Sequence, residues 1–186
     1  LMLIISTILI IGFLQIYLEL RTNLTLAATT LVLSPFVALF LMVLSVLITR
    51  PFAYFTRRNL IHRAEAVIRT MPGLISIGIS GSYGKTSTKE FLYQMLSSKF
   101  ETGKTDANQN TDVGVAVSIL KNLTSKTKYF IGEVGAYRIG EVRQASRLFN
   151  PTHAIITGFG NQHLDLYGSR KNLIEAEGEI LDLLPA

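Results

Sequence analysis

A glycine-rich segment with a lysine and a threonine stands at residues 81–87, in the sequence GSYGKTS. Its spacing differs from that of the common phosphate-binding loop, G-x-x-x-x-G-K-[ST], because the position five residues before Gly84 is not a glycine. Gly81 and Gly84 would still let the backbone approach a phosphate. Lys85 would add a positive charge there, and Thr86 a hydroxyl for Mg²⁺. The alternative is a strand–helix turn with an incidental Gly-Lys-Thr.

The segments on either side of this loop favour the phosphate-binding interpretation. Residues 74–80, LISIGIS, form an apolar, β-branched run typical of a buried strand, in which Gly78 is expected to pack closely against a neighbour. Residues 85–99 follow with helical periodicity, which places four apolar side chains on one face, those of Phe91, Leu92, Met95 and Leu96. A helix that begins at such a loop offers unpaired N–H groups and a positive dipole to a phosphate.

Strand-like and helix-like segments alternate through the rest of the chain. Further strands are predicted near 100–104 and over 128–134 and 153–159, and further helices near 112–123, 138–149 and 169–184. This alternation predicts an α/β fold with a parallel sheet. Ligands of such folds bind at the carboxyl ends of the strands, which meet at one edge of the sheet.

Three ionisable side chains in this part of the chain are candidates for chemistry. Glu133 ends an otherwise apolar strand, and a carboxylate beside a phosphate loop is a candidate Mg²⁺ ligand, although it could instead pair with an arginine. His163 follows the next predicted strand and could equally be a loop histidine bonded to the backbone. Glu177 lies in the last predicted helix, where neighbouring glutamates could be surface charges. Each is a weak indication alone, but their order along the chain is informative.

Four motifs in order make the sequence recognisable: GSYGKTS at 81–87, ANQNTDVG at 107–114, EVGAYRIGEV at 133–142 and QHLDLYGS at 162–169. Together they resemble the Mur ligase family, and within it the branch of UDP-N-acetylmuramoyl-tripeptide–D-alanyl-D-alanine ligases. The resemblance covers about residues 74–186. It implies an enzyme that uses ATP and Mg²⁺ to join a carboxylate to an amine through an acyl phosphate.

The resemblance also assigns roles to residues of this chain. The nucleotide phosphates would be held by the loop, that is by Gly81, Ser82, Tyr83, Gly84, Lys85, Thr86 and Ser87. Thr86 would bind a first Mg²⁺, and Glu133 and His163 would bind a second one. The catalytic set would be Lys85, Glu133, His163 and Glu177. On the substrate side would lie Asn108, Asn110, Tyr137 and Arg138.

Three departures from the family pattern are visible. Glu177 stands where the family commonly has a carbamylated lysine, so a permanent carboxylate could do the same Mg²⁺-orienting work, or the site could be altered. Tyr137 and Arg138 replace the family's usual Asn-His pair, which affects recognition of the acceptor peptide. A membrane hairpin is expected in place of the family's N-terminal nucleotide-sugar-binding domain. The chain is also expected to end before the adenine contacts and the C-terminal domain, so that it would be inactive alone.

The N-terminal part has a different composition from the remainder. The whole chain is 48% hydrophobic with a net charge of +5, yet residues 1–49 contain only two charged side chains, Glu19 and Arg21. Residues 1–18 and 22–49 are long enough to form a hairpin of two membrane helices, with Pro35 expected to kink the second. The alternatives are a signal peptide or a buried helical hairpin. Residues 50–69 contain five arginines, which predicts that the chain beyond them is cytoplasmic.

These observations predict three parts: two membrane helices at 1–49, a basic juxtamembrane helix and linker at 50–73, and an incomplete ATP-binding domain at 74–186. The leading hypothesis is a ligase at the bacterial plasma membrane that adds a dipeptide to a peptidoglycan precursor. The lipid bilayer and membrane cell-wall enzymes are its expected partners, and nucleic acid is not. The alternatives are a ligase for another polymer, such as poly-γ-glutamate, and a catalytically silent nucleotide-binding scaffold.

Overall fold

The computed structural model describes the chain except at residues 1, 21–23, 136, 161–166 and 186. Contacts divide the chain into two compact units, Leu1–Tyr54 and Phe55–Ala186. The helices are α1 (Met2–Leu20), α2 (Leu24–Arg69), α3 (Lys85–Ser97), α4 (Asp112–Asn122), α5 (Glu141–Arg147), α6 (Arg170–Gly178) and a 3₁₀ helix (Glu179–Leu183). The strands are β1 (Ile75–Ser80), β2 (Thr102–Lys104), β3 (Tyr129–Glu133) and β4 (His153–Ile156).

The first unit contains α1 and the N-terminal part of α2. The sequence predicts separate helices before and after residue 50, but α2 is a single helix that continues through Pro35 and Pro51. Among the described residues, one helix is long and apolar enough to cross a membrane, over Ala28–Arg69, and none of its most apolar window is buried. The apolar stretch at Ile8–Leu18 of α1 is shorter.

The second unit is built on a four-stranded sheet with the order β2-β3-β1-β4. All three strand pairs are parallel, which confirms the predicted α/β fold with a parallel sheet. In the central pair, Gly78 lies opposite Gly132 and Ile79 opposite Glu133. Because the strands are parallel, the segments that follow β1, β3 and β4 leave the sheet at the same edge.

The main hydrophobic core lies on the face of the sheet covered by α4, α5, the 3₁₀ helix and the C-terminal part of α2. Gly78 makes room for this core: a Cβ at its position would come within 2.2 Å of Ile180 Cδ1. A Cβ on Gly132 would come within 2.6 Å of the Phe149 ring. The expectation that Gly78 is a closely packed strand residue is therefore confirmed.

Helix α3 contacts β1, β2 and β3, and its apolar face is partly exposed. Phe91 is 64% exposed and Met95 65% exposed, while Leu92 and Leu96 are half-buried. The fully buried side chain of α3 is Lys89, at 0% exposure. Apolar periodicity does not identify Lys89 as a buried residue, because its burial depends on an acidic partner at the end of β3.

The last predicted helix, over 169–184, is divided into α6 and the 3₁₀ helix. In the 3₁₀ helix, Ile180 packs over Gly78, and the Glu179 carboxylate accepts hydrogen bonds from the backbone N–H groups of Gly140 and Arg143 at 2.6 and 3.1 Å. Glu179 is therefore buried at the start of α5, where a negative charge is favourable, and is not a surface charge.

Candidate functional site

The glycine-rich loop joins β1 to α3 in a conformation that requires glycine at two positions. Gly81 has a φ of 130° and Gly84 a φ of 79°, both in the region that side chains disfavour. A Cβ on Gly81 would also come within 2.5 Å of Thr157 Oγ1 and 3.1 Å of the Gly158 backbone. The loop backbone is thus packed directly against the segment that follows β4.

Thr157 fixes this packing and is a residue that the sequence analysis missed. Its hydroxyl donates to the carbonyl oxygens of Tyr83 at 2.6 Å and Ser80 at 3.2 Å. The Ser82 N–H donates to the Gly158 carbonyl at 2.8 Å, and the Tyr83 ring lies against Gly158. The small residues in TGFG at 157–160 were the available sequence indication, because only small residues allow two loops to approach so closely.

The start of α3 is open to an anion. Gly84 is the N-cap residue and makes no side-chain cap, so no side-chain oxygen competes for the first N–H groups of the helix. Lys85, the first residue of α3, donates from Nζ to the Gly81 carbonyl and so lies over the loop. In the described part of the chain, Ser82 Oγ is buried with no hydrogen-bond partner. These features fit a bound phosphate.

Glu133 lies at the end of β3, beside the first turn of α3. Thr86 donates its hydroxyl proton to Glu133 Oε1 at 3.0 Å, and Lys89 Nζ lies 2.9 Å from Oε2 as an ion pair. The Glu133 N–H donates to Thr105 Oγ1 at 2.9 Å. Glu133 is 6% exposed. The carboxylate is therefore held by two residues of α3, while Thr105 holds the Glu133 backbone. The Thr86 hydroxyl and the Glu133 carboxylate place two hard oxygen donors together, which suits Mg²⁺.

His163, the third residue predicted to bind metal, lies outside the described residues. Among the residues that the structure does describe, no group of three or more His, Asp or Glu side chains could hold a metal ion. The metal set Thr86, Glu133 and His163 therefore stays a prediction, of which the geometry brings the first two together.

Glu177 reaches the loop from α6. Its Oε2 atom accepts hydrogen bonds from the Ser80 hydroxyl at 2.6 Å and the Gly81 N–H at 3.0 Å. The Ser80 hydroxyl also lies 2.9 Å from the Glu177 carbonyl. Glu177 is buried, so its carboxylate acts on the last residue of β1 and the first residue of the loop. The sequence placed Glu177 in the site only through the resemblance, and the Ser80 contact was not foreseen.

Tyr167 packs with Leu173 and Ala176 and lies near Glu177. Burial raises the pKa of its hydroxyl to about 12, and the negative charge of Glu177 adds to the effect. Tyr167 therefore stays neutral at physiological pH.

The predicted substrate residues Asn108 and Asn110 lie in the loop before α4. Asn108 has a φ of 61°, and the Asn110 carbonyl accepts a hydrogen bond from the Gly135 N–H at 3.1 Å. This contact brings the loop to the exit of β3, two residues after Glu133. At the other end of the loop, hydrogen bonds from Lys121 and Asn122 hold the pKa of Asp106 below its ordinary value.

Tyr137 and Arg138 follow β3 on the way to α5. The Tyr137 N–H donates to Glu141 Oε2 at 2.8 Å, and the Tyr137 ring is exposed. The Arg138 carbonyl accepts from the Glu141 N–H at 3.3 Å. Tyr137 lines a cavity of about 170 Å³ together with Gly135 and Asp112. The structure thus brings Tyr137 near the asparagine loop, and it connects the Arg138 backbone to the start of α5.

Residues 79–186, more than half of the chain, match the family described as the Mur ligase middle domain. The chain belongs to the Mur ligase family. The matched region begins at Ile79 in β1 and contains the loop and every site residue described above.

Several Mur ligases are similar to this chain in sequence. The UDP-N-acetylmuramoyl-tripeptide–D-alanyl-D-alanine ligase of Bacillus subtilis is 36% identical over 119 residues, which are 64% of this chain and 26% of that protein. The ligase of the same name from Escherichia coli is 36% identical over 109 residues, 59% of this chain and 24% of that one. The chain thus spans about a quarter of the length of these Mur ligases.

Solved Mur ligase structures are similar in fold. MurF from Acinetobacter baumannii has a TM-score of 0.67 at 33% identity, covering 70% of this chain and 28% of that one. MurF ligase from Thermotoga maritima, in complex with ADP, has a TM-score of 0.64 at 30% identity, covering 69% of this chain and 30% of that one. These similarities confirm the resemblance drawn from the four motifs.

Proposed function

We propose that this chain carries the ATP-binding part of an amide ligase that adds a D-alanyl-D-alanine dipeptide to a UDP-muramoyl-tripeptide. The observation that carries the proposal is the convergence of the loop, Thr86 and Glu133 at one edge of the sheet, in a chain whose relatives bear that ligase name. The chemistry would join the tripeptide carboxylate to the dipeptide amine. ATP would activate the carboxylate as an acyl phosphate, and phosphate would then leave.

The residues of the loop would position the phosphates of ATP. The open N–H groups at the start of α3 and the unpartnered Ser82 hydroxyl would donate to phosphate oxygens. Lys85 would leave the Gly81 carbonyl and place its charge on the outer phosphates. Because a phosphoryl transfer is accelerated mainly by positioning and charge neutralisation, these contacts account for most of what this part of the enzyme must do.

Thr86 would hold a first Mg²⁺, and Glu133 would hold a second one together with His163. The bound ions would neutralise charge on the phosphates and on the reacting carboxylate. The ion pair with Lys89 and the hydrogen bond from Thr86 keep the Glu133 carboxylate in one orientation before the metal binds.

Glu177 would retain the function of the family's carbamylated lysine. Its Oε2 atom holds Ser80 and Gly81, and its negative charge lies at the base of the loop. We expect Glu177→Gln to lower ligase turnover by about 10- to 100-fold, as outer-shell substitutions at metal sites do. The glutamine can still accept the two hydrogen bonds through its amide oxygen, so the thermal midpoint should change little.

The measurement for Glu177 is turnover as a function of Mg²⁺ concentration, with a thermal melt of the same sample. Glu175→Gln is the matched control, because Glu175 is exposed on the same helix. If Glu177→Gln kept full turnover at all Mg²⁺ concentrations, Glu177 would be only a structural support for the loop.

We propose that the N-terminal helices anchor the ligase in the bacterial plasma membrane, with the site in the cytoplasm. The support is the apolar helix over Ala28–Arg69, whose apolar window is wholly unburied, and the five arginines over residues 50–69 of the same helix. We expect the full natural protein to sediment with membranes and resist carbonate extraction, and a variant lacking 1–49 to be soluble. Recovery of the intact protein in the soluble fraction would refute the anchor. The anchor would bring the ligase close to the membrane enzymes that consume its product.

One experiment tests the substrate assignment. The full natural protein is given ATP and Mg²⁺, and phosphate release is measured with UDP-muramoyl-tripeptide and D-Ala-D-Ala. Release that requires both supports the proposal. Release that requires glutamate alone would point to a poly-γ-glutamate ligase, and the absence of release with intact nucleotide binding would point to a silent scaffold.

A further inference from the structure

An arginine of α2 contacts the segment that carries the predicted substrate asparagines. Within the second unit, Arg57 donates from Nε and Nη2 to Asp112 Oδ2 at 3.1 and 2.5 Å. Asp112 is the first residue of α4 and comes directly after the loop that contains Asn108 and Asn110. The contact therefore connects α2 to the point at which that loop becomes helix.

The Asp112 carboxylate accepts hydrogen bonds from residues of three helices. Besides Arg57 of α2, Gln144 of α5 donates from Nε2 to the same Oδ2 atom at 2.9 Å. The other oxygen, Oδ1, accepts from the Val113 N–H at 2.8 Å. The side chain of Asp112 is 12% exposed and that of Arg57 49%. A carboxylate with donors from α2, α4 and α5 has little freedom to move.

The asparagine loop is fixed relative to both Asp112 and the end of β3. Thr111 Oγ1 accepts from the Gly114 N–H at 3.3 Å and so caps α4. The Asn110 carbonyl is bonded to the Gly135 N–H, and a Cβ on Gly135 would lie 3.2 Å from Asn110 Nδ2. A shift of Asp112 would therefore move Asn110 relative to Glu133, two residues before Gly135.

The energetic contribution of the ion pair to folding is small. Ion pairs in which one partner is half exposed contribute about 0–1 kcal/mol. Asp112 is also favourable without Arg57, because a negative charge in the first turn of a helix interacts well with the helix dipole. The main effect of Arg57 is therefore on where the loop lies.

We propose that Arg57 is a positioning residue for the acceptor side of the site, acting through Asp112 on the loop with Asn108 and Asn110. This inference rests on the proposed ligase function. It makes binding of the acceptor dependent on a residue of α2. ATP, held by the loop after β1, would be unaffected.

Kinetics of the full natural protein test the proposal. We expect Arg57→Ala to raise KM for UDP-muramoyl-tripeptide by roughly five- to tenfold, the equivalent of about 1–1.4 kcal/mol, and to leave KM for ATP unchanged. Arg57→Lys should recover part of the effect, since it keeps the charge but not the two-pronged contact. In an Asp112→Ala background, which removes the acceptor of both hydrogen bonds, Arg57→Ala should have no further effect.

Arg58→Ala is the matched control, because Arg58 is the next residue of α2 and its Nε hydrogen bond goes to His62 of the same helix, at 3.2 Å. Arg58→Ala should leave both KM values unchanged. An equal rise in KM for ATP and acceptor in Arg57→Ala would overturn the proposal, because a general loss of structure would then be the cause.

Hydrogen exchange gives a readout that does not depend on activity. The amides of 109–114 should exchange faster in Arg57→Ala than in the wild type or Arg58→Ala, while the amides of β1 should not change. If the wild type released no phosphate with any acceptor, the ligase function would fail, and faster exchange at 109–114 would still establish the positioning contact. Unchanged exchange in Arg57→Ala would overturn the positioning role.

Discussion

Lys85→Ala is expected to lower ATP-dependent phosphate release by roughly 10²- to 10³-fold, the effect of removing one preorganised charge-stabilising group from a transition state. In the structure, Lys85 Nζ is bonded to the Gly81 carbonyl, so the lysine already lies over the loop. A phosphate that enters the loop would replace that carbonyl as the partner of the ammonium group. The positive charge of Lys85 would then stabilise the negative charge of the phosphoryl group as it is transferred. The loop at 81–87 contains no other lysine that could replace it.

The stability of Lys85→Ala should differ little from that of the wild type. The substitution removes one hydrogen bond from a half-buried side chain, which contributes about 0.5–1.5 kcal/mol. The assay is phosphate release by the full natural protein at saturating substrates, with nucleotide affinity measured separately. Lys99→Ala is the control, because Lys99 is exposed just after the same helix. Release within twofold of wild type would show that the loop does not hold the phosphates.

The sheet and the loop were predictable because their determinants are local. Apolar β-branched runs over 74–80 and 128–134 specify strands wherever the rest of the chain lies, and the alternation with helices specifies their parallel direction. Glu133 was found for the same reason: a carboxylate at the end of an apolar strand is unusual enough to indicate a role. The spacing of Gly81 and Gly84 likewise corresponds to positions at which the backbone has a positive φ.

The residues that were missed have partners far away in the sequence. Lys89 lies among the polar residues of α3, and only its contact with Glu133 explains its burial. The sequence left open that Glu179 is a surface charge, because the N–H groups that it binds, those of Gly140 and Arg143, lie at the start of α5. The Arg57–Asp112 pair joins residues 55 positions apart. Periodicity describes one element at a time, so it cannot identify a charge that is buried by pairing between elements.

The ion pair of Lys89 and Glu133 leads to the second large effect. Lys89 is fully buried and Glu133 nearly so, and their charged atoms lie 2.9 Å apart. Removing one member of such a pair leaves the other charge buried without compensation, which costs about 3–5 kcal/mol. We therefore expect Lys89→Met, which has a similar size but no charge, to destabilise the sheet strongly. Glu133→Gln should also destabilise the sheet strongly, because it leaves the Lys89 charge buried without its partner.

Removing both charges should restore much of the stability without restoring function. In Lys89→Met/Glu133→Gln neither charge is left unpaired, so the double variant should be more stable than either single variant. It should remain inactive, because the carboxylate proposed to bind Mg²⁺ is gone. A stable but inactive double variant would separate the role of Lys89 in holding Glu133 from the role of Glu133 in the reaction.

Hydrogen exchange of the β1 and β3 amides measures these effects in the full natural protein, since each 1.4 kcal/mol lost from the free energy of opening speeds exchange by about tenfold. Lys121→Met is the control, because Lys121 pairs with Asp106 at an exposed position and its loss should cost about 1 kcal/mol or less. The loss in the free energy of opening caused by Lys89→Met shows whether Glu133 needs Lys89 to remain charged and buried. A value as small as that of Lys121→Met would mean that Glu133 can remain charged and buried without Lys89, with its carboxylate held by the Thr86 hydroxyl. A cost several times larger would show that the lysine of α3 is what keeps a carboxylate charged and in place beside the phosphate loop.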